Sequence, residues 1–88
     1  LIGPAEGLGS RQKALWIPNT KLLMCFSVMA YLRCEECLAL HLQKAVDLGL
    51  TRQEIIEAAG IAIAFHGGPS MGWTATHILP GLDQFGIK

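Results

Sequence analysis

No run of lysines or arginines occurs in the 88 residues, and the seven basic side chains are balanced by seven acidic ones. A nucleic-acid surface needs basic side chains gathered on one face, so that class of partner is not expected. Long apolar stretches are missing too. The longest uncharged one, Leu22 to Leu32, is interrupted only by Ser27 and falls short of the roughly 18 residues that mark a membrane span. No membrane association is therefore expected. No secretory leader is visible either, in a sequence that begins at Leu1 rather than with a methionine. Cysteine is scarce: three in all, an odd number, two of them in a C-x-x-C. That is unlike the even, conserved-looking framework of a small secreted protein, and a reducing, cytoplasmic setting is expected.

Charge is thin overall. Charged residues make up 16% of the chain, against roughly 25% in an average globular protein, while 51% of residues are hydrophobic. A chain this short forms one domain and buries only about 60–65% of its unfolded surface. The remaining apolar surface is expected to be hidden in a homo-oligomer.

The pattern of breakers and apolar positions predicts helices throughout. Residues 1–18 read as an irregular arm, with a short helix after Ser10 that Pro18 stops. The helical core is expected over 19–78. Its first long helix starts at Asn19 or Thr20 and ends near Leu32. This helix is apolar almost all round, the pattern of a fully buried helix, with Met24, Cys25 and Met29 as core. A second long helix begins near Arg33 or Cys34 and ends at Gly49, a common residue just past a helix end. Thr51-Arg52-Gln53-Glu54 spells a capping box for a third, which reaches His66. Gly67-Gly68-Pro69 breaks the chain, and Pro69 can open another helix that Pro80-Gly81 ends. Residues 79–88 are then a tail with a short docked turn. The class is all-α, an orthogonal bundle of about five helices.

One stretch carries chemistry: Cys34-Glu35-Glu36-Cys37-Leu38-Ala39-Leu40-His41. At about 100° per residue, Cys34, Cys37 and His41 fall within about 60° of one another on a helix. Leu38, Leu42, Ala45 and Leu48 join that side, while Glu36, Gln43, Lys44 and Asp47 lie opposite. The two thiols and the imidazole therefore line a buried or cleft-facing stripe. A thiol becomes reactive as thiolate, favoured at a helix N-terminus or beside histidine. His41 can take the Cys37 proton, directly or through a water. One sulfur can then attack a peroxide oxygen, and the other can resolve the sulfenic acid as a disulfide. Glu35 and Glu36 oppose this, because nearby negative charge raises a thiol pKa.

The combined pattern Cys34-x-x-Cys37-x-x-x-His41-x-x-x-Ala45-x-x-x-Gly49-x-Thr51-x-x-Glu54-Ile55-x-Glu57, followed by Gly67-Gly68-Pro69, resembles the alkylhydroperoxidase D-like (AhpD-like) branch of the carboxymuconolactone decarboxylase family. The likeness covers about residues 20 to 78. It implies an all-helical oligomer, commonly a trimer or hexamer. It also implies a dithiol that reduces hydroperoxides or exchanges disulfides with a thiol or lipoyl-type reductant, with no cofactor and no bound metal. Residue by residue, Cys37 matches the peroxide-attacking cysteine, Cys34 the resolving one and His41 the relay histidine. The sequence departs from the family at Leu22, where a glutamate commonly completes the proton relay. The decarboxylase branch lacks the C-x-x-C, which makes lactone decarboxylation the lesser expectation.

Two other readings fit the same residues. One is a non-catalytic helical assembly whose dithiol senses redox state. The other is structural zinc, which takes four ligands: Cys34, Cys37 and His41, with Cys25, His66 or His77 as the fourth. His66 reads foremost as a helix C-terminal charge, His77 and Trp73 as packing or interface residues, and Glu54 and Glu57 as first-turn capping residues.

Overall fold

The computed structural model of the chain describes residues 17–88, which hold helices and no strand. Three long helices come first: α1 (Pro18–Leu32), α2 (Glu35–Leu48) and α3 (Arg52–His66). A last helical rod follows, made of α4 (Gly68–Trp73), a π-helical turn (Thr74–Ile78) and α5 (Leu79–Gln84). The arm and the short helix expected after Ser10 lie outside the described residues, apart from Ile17 and Pro18.

Pro18 starts a helix. Ile17 is extended and Pro18 takes the first helical position, where its missing N–H belongs among the donors a helix leaves unpaired anyway. The expected cap at Asn19 or Thr20 is therefore replaced. Asn19 Nδ2 instead donates to the Leu48 carbonyl at 3.4 Å, tying the start of α1 to the end of α2. Arg33 ends α1 in the left-handed region, at φ 58°.

Gly49 closes α2 at φ 73°, its N–H turned back to the Ala45 and Val46 carbonyls. The next helix opens on the capping box read from the sequence. Thr51 Oγ1 accepts from the Glu54 N–H at 3.2 Å, and the Thr51 N–H donates to Glu54 Oε1 at 2.8 Å. Glu57 is not part of that cap; it accepts from Gln53 Nε2 at 2.7 Å on the exposed side.

The helix expected to end at Pro80-Gly81 continues through them to Gln84. A proline inside an α-helix removes a donor and clashes with the carbonyl four residues back. Here the preceding turn is widened, and the Leu79 N–H reaches the Thr74 carbonyl five residues back. That wider register accommodates the ring. Gly81 also has a packing role: a Cβ at this position would come within 2.6 Å of Leu42 Cδ1. Ile87, beyond the rod, is buried, and the Arg52 N–H donates to the Lys88 carbonyl at 2.9 Å.

The core lies where α1, α2, α3 and the last rod meet, around the fully buried Phe26, Leu42, Ile55, Ile78 and Leu82. Ala58, Ala59 and Ala62 let α3 lie close to α1, and Ser27 Oγ donates across the seam to the Ala58 carbonyl at 2.7 Å. The expectation that α1 is buried all round does not hold among the described residues of a single chain. Leu22, Phe26, Met29 and Ala30 face the core, but Met24, Val28, Tyr31 and Leu32 are exposed. A helix can bury only the face its neighbours cover, and among the described residues the neighbours of α1 leave Met24, Val28, Tyr31 and Leu32 exposed. Leu48, assigned to the inward side of α2, is also exposed. It sits in the last helical position before Gly49 turns the chain away.

Candidate functional site

Cys34, Cys37 and His41 lie together at the start of α2. Arg33 turns the chain left-handed, Cys34 takes the N-cap position, and Glu35 is the first helical residue. Cys37 is then in the first turn of α2, and the two cysteines form a disulfide with a Cα–Cα distance of 5.5 Å, inside the range a disulfide spans. Both are half-buried and packed against the edge of the core. No side chain caps this helix, so its first-turn N–H groups stay uncapped and its positive dipole end lies in the turn that carries the two cysteines.

His41 is buried, with 1% of its surface exposed. Helical side chains lean toward the N-terminus and cover the preceding turn, which places the imidazole over the turn that starts at Cys37. Its Nδ1 lies 2.7 Å from the Cys37 carbonyl oxygen. A carbonyl only accepts, so Nδ1 carries the proton of that bond and Nε2 is left as the basic nitrogen. The Phe26 ring stands edge-on to the imidazole at 6.1 Å. Leu22, at the family's glutamate position, is buried and packed into the core, and a hydrocarbon there relays no proton.

A second histidine approaches the same turn. His77, on the π-helical segment, lies 3.2 Å by Nε2 from Glu35 Oε1, the residue directly after Cys34. Thr76 Oγ1 is 2.8 Å from its Nδ1, and the Trp73 ring stacks on it at 5.1 Å. No local feature of the chain signals this pairing, because residues 35 and 77 are remote from each other in sequence. Its one available signal was the Trp73–His77 spacing of one helical turn. Among the described residues, Trp73 Nε1 and Thr74 Oγ1 are buried without a hydrogen-bond partner. They lie in or beside the π turn, a kind of irregularity frequent at functional sites.

His66 is elsewhere. It ends α3, stacks near Tyr31 at 4.9 Å, and its Nδ1 lies 2.9 Å from Ser70 Oγ. Ser70 in turn donates to the Ala30 carbonyl at 2.9 Å, so this group ties the last rod to α1. Cys25 is the free thiol, and burial pushes its pKa up, keeping it protonated. Among the described residues no three His, Cys, Asp or Glu side chains gather to hold a metal ion. The zinc reading thus finds no assembled ligand set, and its two sulfurs are joined to each other. No helix among the described residues is long and apolar enough to cross a membrane.

The model of the carboxymuconolactone decarboxylase family matches residues 10–79. The chain belongs to that family. Within the family it is AhpD-like, carrying the C-x-x-C as a Cys34–Cys37 pair at disulfide distance. The family's all-helical expectation agrees with the described residues. No curated protein and no solved structure matches the chain. Family membership and the dithiol are together compatible with a thiol peroxidase, and a family that includes enzymes makes enzymatic function plausible.

Proposed function

We propose that the protein is a dithiol-dependent hydroperoxide reductase in which Cys37 attacks, Cys34 resolves and His41 is the base. The observation that carries this reading is the joining of Cys34 to Cys37 at an uncapped helix start, with a buried imidazole over the same turn. In the reduced protein His41 Nε2 takes the Cys37 proton. The thiolate attacks the terminal oxygen of the hydroperoxide, the O–O bond breaks, and the alkoxide leaves with the proton held on His41 as an alcohol. Cys37 is now a sulfenic acid. The Cys34 sulfur attacks it, hydroxide departs with the Cys34 proton as water, and the disulfide closes. A small thiol or lipoyl-type dithiol returns two electrons and two protons and is itself oxidised. With Leu22 where the family commonly has a glutamate, the relay ends at His41.

The test is hydrogen peroxide or an alkyl hydroperoxide consumed in the presence of dihydrolipoamide. Stoichiometric loss of peroxide with one disulfide formed per turnover supports the proposal. A reduced protein that reforms its disulfide in air but consumes no peroxide supports the sensor reading instead.

The exposed Met24, Val28, Tyr31, Leu32, Ile61 and Phe65 favour a homo-oligomer, since the described residues of one chain leave this apolar surface uncovered. Light scattering across a dilution series checks it, with a trimer or hexamer expected. A cytoplasmic location follows from the same reading, because the cycle needs a reducing supply of thiols.

A further inference from the structure

Both residues inside the C-x-x-C are acidic, and Glu35, next to Cys34, poses a physical problem for the proposed chemistry. Glu35 sits between the two sulfurs in sequence, and an unpaired carboxylate there disfavours a neighbouring thiolate. The structure gives that carboxylate a partner from the far end of the chain. His77 Nε2 lies 3.2 Å from Glu35 Oε1, and its other nitrogen meets Thr76 Oγ1 at 2.8 Å. Thr76 also lies 2.9 Å from the Gly72 carbonyl, to which its hydroxyl donates. With its one proton committed there, Thr76 can only accept from His77. Glu35, as a carboxylate, also only accepts. Both ring nitrogens therefore face acceptors, an arrangement that an imidazolium satisfies at both ends and a neutral ring at one.

We infer that His77 is a positioning residue for the dithiol: protonated, it cancels the charge of Glu35 beside Cys34 and Cys37 and so favours the thiolate. The π turn is the backbone device that carries it. Trp73 stacks on the ring with an interplanar angle of 11°, which fixes its plane. The other charged or titratable groups along this stretch are Arg33 and Glu36, both exposed, and the buried His41. None of these is altered in the variants below.

The inference rests on the proposed dithiol chemistry, yet its test does not use peroxide. The fully reduced protein is alkylated with iodoacetamide at pH 5.5 and pH 8.5, on either side of the range in which histidines ordinarily titrate. Modification of Cys34 and Cys37 is followed separately from that of Cys25 by peptide mass. At pH 5.5, His77→Gln is expected to slow alkylation of the pair about threefold, the size of effect that one exposed ion pair exerts. The difference should shrink at pH 8.5. Adding Glu35→Gln to His77→Gln should restore the parent rate, because the Glu35 charge that His77 cancels is then gone while Glu36 is the same in every variant. A parental rate in His77→Gln, or a double variant as slow as the single one, overturns the inference. Failure of peroxide turnover in the parent, with this alkylation pattern intact, would instead overturn the peroxidase reading alone.

Discussion

The two interior helices, α2 and α3, start in opposite ways. The first turn of α3 is closed by Thr51 and Glu54, each pairing with the other's backbone. The first turn of α2 begins on Cys34, makes no side-chain cap bond, and opens onto a sulfur. An N-cap hydroxyl or carboxamide contributes about 1 kcal/mol relative to a side chain that cannot accept. The chain thus takes the stability at one helix start and forgoes it at the other. The forgone cap leaves backbone N–H groups and a helix dipole directed at the residues that must carry negative charge in the proposed reaction.

The sharpest break of this contrast is Cys37→Ser, which should abolish peroxide consumption in a dihydrolipoamide-coupled assay. The helical circular dichroism spectrum should stay as it is. Activity at the parent rate in that variant removes Cys37 from its role. Next in size, His41→Gln should lower turnover by about 10²-fold, the low end of what a positioned general base contributes. On the structural side, Thr51→Ala should cost about 1 kcal/mol in urea unfolding while leaving peroxide turnover unchanged. The smallest effect sharpens the comparison from the other direction. In the reduced state, Cys34→Ser places a good N-cap acceptor at the start of α2 and should raise stability by about 0.5 kcal/mol over the reduced parent, with turnover lost for want of a resolving thiol.

Much of this arrangement was legible in the chain because its signals are local. Thr51 and Glu54 are three apart, Gly49 is the only residue type that enters the left-handed region freely, and Cys34, Cys37 and His41 share one helical stripe by arithmetic alone. What escaped depends on distance or on register. Pro80-Gly81 is a stop signal in an ordinary helix. It became an interior position only because the turn before it widened, and because Gly81 lies against Leu42. Neither fact is written in the residues nearby. The apolar face of α1 could not be divided from sequence into the half that meets α3 and the half that meets water, because Met24 and Met29 look alike until their neighbours are known. The His77–Glu35 contact joins positions 42 apart and has no periodic signature.

Both sulfurs belong to one turn of chain, with their Cα atoms 5.5 Å apart. An N-cap residue and the third residue of its helix stay close whether or not a bond joins them. Opening the link therefore asks for little more than side-chain rotation, and no segment has to unfold, swing or be recaptured between successive cycles. A hinge-free couple of this sort is suited to rapid repetition.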